Sequence, residues 1–480
     1  MILFQGQKMR KLVVLLIPLL FTSIAFAAEK QTVDLMILGD YLVTMTPNEP
    51  WEKIESSPVI FDGAVAVNGE SIIAVGSRLE IQAKYTAKQT LSGKNRILMP
   101  GLINGHTHSA MTLFRGMADD LELMPWLNDY IFPMEAQFVD PNFIQVGTDL
   151  ACWEMIRGGI TSFVDMYFYP DIISDRVVKC GLRAIVGAPM IDFPSPGFSG
   201  WDDSFESGVE FVSRWKDRHE RITPALAPHA AYTVSPEHIK QVAKKAREQN
   251  IPVTMHIAES QAENQMILKN YQTTPVRHID NQGLFDDLVV IGAHMVFLDE
   301  QEMRILHDKQ ISVIHNPTSN LKLAAGISPV PKMLENHINV GLGTDGAASN
   351  NDLDLWEEIR LAALIHKVDG QDPTLIPAYK ALQMATVYGA KAIGFEKITG
   401  QLKSGLRADM IQISLDDVQL LPMYNVISHL VYSVDSNDVV TTIVSGKILM
   451  QDRNVLTINQ EKLRDSVMKL SGAIKKALNK

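Results

Sequence analysis

The stretch Pro100-Gly101-Leu102-Ile103-Asn104-Gly105-His106-Thr107-His108, led in by the apolar run Ile97-Leu98-Met99, decides how the rest of the chain is read. Residues two apart on a β-strand face the same side, so His106 and His108 can reach one metal ion from a strand end. Borderline divalent cations favour imidazole nitrogen, and a catalytic site keeps one coordination position for water. One H-x-H is weak alone. Its meaning depends on what the remaining chain brings to the same place.

Short apolar runs bounded by turn signals give eight strand candidates after residue 95. They are Ile97–Asn104, Ile160–Met166, Ala184–Ala188, Ile222–His229, Val253–Ala258, Val289–His294, Ile311–Asn316 and Val340–Asp345. Amphipathic stretches such as Pro236–Gln249 and Glu300–Lys309 separate them. This alternation predicts an α/β fold, a closed (β/α)₈ barrel of the TIM type. Active sites of such barrels sit at the carboxyl ends of the strands. Here the first strand ends in His106 and His108, the fourth in His229, the fifth in His256, the sixth in His294 and the eighth in Asp345. A single polar strand end is usually structural; metal-ligand types at five of eight ends indicate a site.

A barrel of about 250 residues leaves material in a 480-residue chain for a second domain. Val33–Met45 and Val59–Val75 alternate like strands around an Asn68-Gly69 hairpin turn, and Ala408–Leu415 and Val439–Leu449 are strand-like too. Neither flank completes a sheet alone, so residues 28–95 and 400–455 are expected to build one joint β-sandwich domain beside a barrel of residues 96–399. Gln460–Leu478 reads as a helix within a C-terminal segment, 456–480. The hydrophobic content of 46% and charged content of 21% describe an ordinary globular chain, and a net charge of −11 gives no basic footprint for nucleic acid. Cys152 and Cys180, the two cysteines, read as buried thiols or as one disulfide. At the N-terminus, Met9-Arg10-Lys11, the apolar Leu12–Phe26 and Ala25-Phe26-Ala27 read as a cleavable signal peptide over residues 1–27. Export, to the periplasm or beyond, is the expectation, with no stable membrane insertion after processing.

Several segments carry a family resemblance: GLINGHTH (101–108), MTLFRGMADD (111–120), GITSFVDMYF (159–168), HIAES (256–260), HNPTSNLKLAAGISPV (315–330) and GTDGAASNN (343–351). With these the chain resembles the amidohydrolase superfamily, in the branch of cytosine/adenosine-type deaminases and triazine hydrolases. It is most similar there to the 5-methylthioadenosine/S-adenosylhomocysteine deaminases, over about residues 33 to 450. The resemblance implies that His106, His108, His256 and Asp345 hold one divalent metal, Zn²⁺ or alternatively Fe²⁺, with water in the remaining position. The fourth strand candidate contains no Lys that could be carbamylated to bridge two metals, which favours a single ion.

Further roles follow from the same resemblance. Asp345 acts as general base, His294 orients the attacking oxygen, and Glu259 protonates the purine ring nitrogen beside the reacting carbon. His229 touches the purine or sugar, Glu135 takes the ribose hydroxyls, and Trp126 covers the ring. Asp165 reads instead as a buried structural hydrogen bonder, His315 as pocket wall, and Ser319 and Asn320 as residues fixing their own loop. The implied reaction converts an adenine nucleoside to its inosine analogue with release of ammonia. A guanine- or triazine-type aminohydrolase or chlorohydrolase is the alternative, and a non-catalytic binding protein on the same scaffold is the remaining one. The partner is a small purine nucleoside or related heterocycle, and a homo-oligomer is left open. One departure bears on substrate: S-adenosylhomocysteine deaminases hold the amino-acid carboxylate with arginines after the third strand, whereas residues 189–213 here contain no Lys or Arg. Phe193, Phe198 and Trp201 of that segment are therefore expected to receive an apolar 5′ substituent.

Overall fold

The computed structural model describes residues 30–46 and 59–478. The stretch read as a signal peptide lies outside them. Eight parallel strands form a nearly closed barrel: Leu102–Thr107, Ile160–Met166, Arg183–Met190, Ile222–Pro228, Val253–Ile257, Val290–His294, Ser312–His315 and Val340–Leu342, paired in that order. The first and last meet through Asp345, whose N–H donates to the His106 carbonyl at 2.9 Å. The Asn104 amide also bonds the Thr344 hydroxyl at 2.7 Å. Gly343 permits this closure, because a Cβ there would stand 2.8 Å from the His106 nitrogen. Inside, Ile103, Val164, Ile185, Ala225, Ile291 and Ile314 pack on one another and on Ile393 and Phe395 beneath the strands. The barrel is thus a filled core with a site at its upper rim, not a pore.

The run expected as a first strand over Ile97–Asn104 is divided. Arg96–Pro100 belongs to a second sheet and Leu102–Thr107 to the barrel. The break falls at Gly101, where a Cβ would lie 2.1 Å from Thr161 Cγ2, so only glycine lets the chain pass between the two layers. The second sheet draws on both flanks and, among the described residues, holds nine strands. Met410–Ser414 pairs antiparallel with Arg96–Pro100, which in turn pairs parallel with Gln31–Val43. Val59–Asn68 and Ser71–Ser77 form the hairpin read at Asn68-Gly69, with Gly69 at φ +56°. A helix spans Gln460–Leu478, and no helix among the described residues is long and apolar enough to cross a membrane. Cys152 and Cys180 are both buried free thiols, with Sγ atoms 2.8 Å apart.

One buried ion pair locks the sheet to the barrel. Arg183, which starts the third barrel strand, meets Asp409 at 3.1 Å and the Ser445 hydroxyl at 3.0 Å, and the Ser445 N–H donates to Asp409 at 2.7 Å. Removing one member would strand the other charge inside the protein. Asp409→Ala is therefore expected to lower stability by about 3–5 kcal/mol. Urea unfolding followed by circular dichroism checks this, and an unchanged midpoint would contradict it.

Candidate metal centre and substrate cavity

At the carboxyl ends of the strands the structure brings His106, His108, His256, His294 and Asp345 together. Nε2 of His106 and of His108 lie 3.4 and 3.3 Å from Asp345 Oδ1, and His108 Nε2 lies 3.2 Å from His256 Nε2. Donor atoms of His106, His256 and His294, and those of His106, His108 and Asp345, form two groups, each within 4.8 Å. Burial holds His106 down to about 4 and His256 well below the usual imidazole range, so both present neutral nitrogens, the form that binds metal.

Backbone carbonyls set the tautomers. His108 Nδ1 faces the Met166 carbonyl at 2.7 Å and His256 Nδ1 the His229 carbonyl at 2.8 Å. A carbonyl can only accept, so each Nδ1 carries a proton, and in the neutral ring each Nε2 keeps its lone pair; against the effect of burial, the Asp345 carboxylate raises His108 to about 9. Two lone pairs 3.2 Å apart repel unless a proton or a cation lies between them. The buried His106 Nδ1 and Nε2 and the His294 Nε2 have no hydrogen-bond partner among the described residues. A divalent cation fits this donor set of imidazole and carboxylate.

The backbone is strained where these side chains leave their strands. Asp345 and His294 adopt φ +63° and +75°, left-handed conformations that cost a non-glycine residue of order 1–3 kcal/mol each. Hydrogen bonds then hold the Asp345 carboxylate: Ser319 Oγ and Ser349 Oγ donate to Oδ2 at 2.8 and 3.0 Å, and the Gly346 N–H to Oδ1 at 2.7 Å. Burial works against its charge, yet His106 and His108 hold its pKa well below the ordinary carboxylate value. His294 Nδ1 is met by Asn320 Oδ1 at 2.8 Å, which aims Nε2 inward. That Nε2 lies 3.9 Å from both Asp345 Oδ2 and Glu259 Oε1.

A cavity opens over this cluster. Its lining contains Glu259, His229, Glu135 and Trp126, all chosen from sequence, beside His108, His256, His294 and Asp345. Burial raises the Glu259 carboxyl above its usual value and pushes Glu135 up to about 7, the latter accepting a hydrogen bond from the Tyr167 hydroxyl at 2.7 Å. His229, held low at about 3 by burial, contacts the Thr233 hydroxyl through Nδ1 at 3.0 Å. Asp165 is fully buried and accepts the Ser109 N–H at 2.6 Å.

Three expectations fail. Trp201 and Phe198 do not line the cavity; Trp201 stacks on His238 with centroids 4.0 Å apart and bonds Gln241. Phe193 does not line the cavity either, but packs against the lining residue Phe132 at a centroid distance of 5.9 Å. Leu123, Leu127, Ile131, Phe132 and Leu323 supply the apolar wall instead. His315 is buried and does not line the cavity, its ring lying 5.2 Å from that of His366. Among the described residues lining the cavity, none is Lys or Arg. Sequence reading also undervalued Ser319, Asn320 and Ser349, and passed over Tyr167. All four sit in the quoted segments HNPTSN, GTDGAASNN and GITSFVDMYF, which is the signal that marks them.

The amidohydrolase family model matches residues 97–449. A 5-methylthioadenosine/S-adenosylhomocysteine deaminase of Syntrophus aciditrophicus is 39% identical, across 93% of this chain and 99% of that protein. A 5′-deoxyadenosine deaminase of Methanosarcina mazei is 42% identical, across 91% of this chain and 97% of its own length. Among solved structures, an adenosine deaminase of Xanthomonas campestris with bound zinc superposes with a TM-score of 0.90, at 35% identity, over 93% of this chain and all of that one. An atrazine chlorohydrolase of Arthrobacter aurescens, at 23% identity and a TM-score of 0.82 over 91% of this chain and all of that one, shares the fold.

These matches correct the expectation of export. The Syntrophus enzyme and a second deaminase, of Syntrophobacter fumaroxidans, are spanned over 99% and 98% of their lengths by 93% and 92% of this chain. These relatives are matched over nearly their full lengths while 7–8% of this chain stays unmatched, so export finds no support among them. An apolar run with a small-residue motif behind it is too common a pattern to carry the assignment alone. By its sequence and fold, the chain belongs to the amidohydrolase family.

Proposed function

We propose that this protein is a metal-dependent hydrolase of C–N bonds that deaminates adenine nucleosides, replacing the 6-amino group by oxygen and releasing ammonia. The observation that carries this reading is the placement of the buried Glu259 carboxyl in one cavity with His294, Asp345 and Glu135. His106, His108, His256 and Asp345 would hold the metal. Zn²⁺ suits three imidazoles and a carboxylate, and the zinc bound by the Xanthomonas enzyme favours it over Fe²⁺. Such an ion, when bound, lowers the pKa of a water to about 7 and so supplies a nucleophile near neutral pH.

The side chains divide the proton traffic. Asp345, fixed by two serine hydroxyls and one N–H, accepts the proton of the attacking water. His294 donates no proton; its Nε2 orients the oxygen. Glu259, whose proton affinity burial raises, gives its proton to the ring nitrogen next to the reacting carbon, which makes that carbon electrophilic. Water's oxygen adds to the carbon; the carbon–nitrogen bond then breaks, ammonia leaving with the proton returned from Asp345, while the new hydroxyl gives its remaining proton to Glu259, which restores the acid and leaves a carbonyl. Glu135, steadied by Tyr167, receives the sugar hydroxyls. His229 borders the purine and Trp126 covers it.

A zwitterionic tail finds no cation in this cavity, and an unpaired carboxylate among Glu135, Glu259 and Asp345 is disfavoured. We therefore expect kcat/KM for 5′-methylthioadenosine or 5′-deoxyadenosine to exceed that for S-adenosylhomocysteine by at least about tenfold. Ammonia release from these nucleosides, adenosine, guanine and a chlorotriazine tests both statements. Turnover confined to guanine or the triazine would refute the nucleoside assignment. S-adenosylhomocysteine as the best substrate would refute the tail preference.

A further inference from the structure

We propose that Glu263 is a positioning residue whose buried carboxyl group holds the turn that brings Glu259 into the site. The inference rests on the reading of Glu259 as proton donor. His256 and Glu259 are three residues apart, and an extended strand would send them to opposite faces. Both nevertheless line the cavity. The reversal is made at Ala258, which leaves the fifth strand (Val253–Ile257) with φ +51°, a conformation that a non-glycine residue adopts only when its surroundings impose it.

Two sets of contacts impose it. The Ala258 carbonyl accepts the N–H groups of Val296 and Phe297 at 3.0 and 3.2 Å, which docks the turn against the strand end carrying His294. From the other side, the first N–H beyond the turn, that of Glu259, donates to Glu263 Oε2 at 2.7 Å. Glu263 is fully buried in the first turn of the helix Gln261–Tyr271, and its own N–H bonds Ser260 Oγ at 3.2 Å. Its second oxygen, Oε1, has no partner among the described residues. Among the described residues no side chain lies within hydrogen-bond distance of the Glu259 carboxyl in the ion-pair geometry, His294 Nε2 standing 3.9 Å from Oε1. Direction for that side chain therefore comes from the backbone, and the backbone is held by Glu263.

A residue that acts only through Glu259 should lose its effect once Glu259 is disabled. We expect Glu263→Ala in the metal-loaded full chain to lower kcat about 10–100-fold, with KM for 5′-methylthioadenosine and bound metal unchanged. Glu263→Gln keeps an oxygen for the Glu259 N–H and should stay within about fivefold of the parent. In a Glu259→Gln background, Glu263→Ala should cost nothing further. Should Glu263→Ala not accumulate, Glu263→Met, closer in volume, carries the same comparison.

A kcat for Glu263→Ala within threefold of the parent, loss of metal from it, or Glu263→Gln failing equally would overturn the proposal. Losses that multiply in the double variant, with Glu259→Gln itself impaired, would overturn this inference alone. Parent-level turnover by Glu259→Gln would overturn it together with the reading on which it rests.

Discussion

Asp345→Asn is expected to lower kcat by at least about 10³-fold and to leave less than one equivalent of bound metal. Asp345 is asked to do two things with one carboxylate. Oδ1 faces the Nε2 atoms of His106 and His108 at 3.4 and 3.3 Å, while Oδ2 accepts two serine hydroxyls. Asparagine keeps one oxygen and puts an amide N–H₂ in place of the other. If the amide faces the histidines, a donor replaces a ligand atom. If it faces the serines, their hydroxyls can rotate to accept, but no anionic base remains to take the water's proton. Either arrangement removes a required function. Ammonia release and elemental analysis on one preparation check this, and a kcat within tenfold of the parent would contradict the assignment.

Glu259→Gln should cost about 10²–10⁴-fold in kcat while the metal content stays at that of the parent. Glutamine matches the carboxylic acid in shape, and the Glu259 backbone N–H bond to Glu263 does not involve the side chain. What is lost is an acidic proton: an amide cannot transfer one to a ring nitrogen. Burial raises the Glu259 carboxyl above its ordinary value, so the protonated acid required as donor is available closer to neutral pH. Because Glu259 is not among the metal ligands, the two substitutions separate the roles. One removes turnover together with metal; the other removes turnover alone. Metal loss from Glu259→Gln would place that carboxylate in the coordination sphere and end its role as acid.

The barrel was legible because its strands are short, buried on both faces and therefore continuously apolar, with the interruptions falling at strand ends. For the same reason the rim of histidines stood out: a polar residue that closes an apolar run has few bland explanations when several do so together. Gly101 was harder to read. Ile97 to Ile103 is apolar throughout, and nothing local says that Arg96–Pro100 pairs with residues 410–414 while Leu102–Thr107 joins the barrel. Trp201 and Phe198 were misplaced because apolar character does not say which of two neighbouring hollows a loop residue will fill. Trp201 found His238, some 37 residues away. Ser319 and Asn320 looked like local loop formers, since their partners Asp345 and His294 are each 26 residues distant. Sequence patterns report periodicity well; they report who meets whom across a strand end poorly.

Anomalous X-ray diffraction at the zinc edge, on crystals of the protein purified without chelator, tests the metal centre on which the account turns. One strong peak within coordination distance of His106, His108 and His256 Nε2 and of an Asp345 oxygen is expected, with Glu259 outside that shell. Fully occupied crystals with no peak there, or a peak held by other residues, would contradict it.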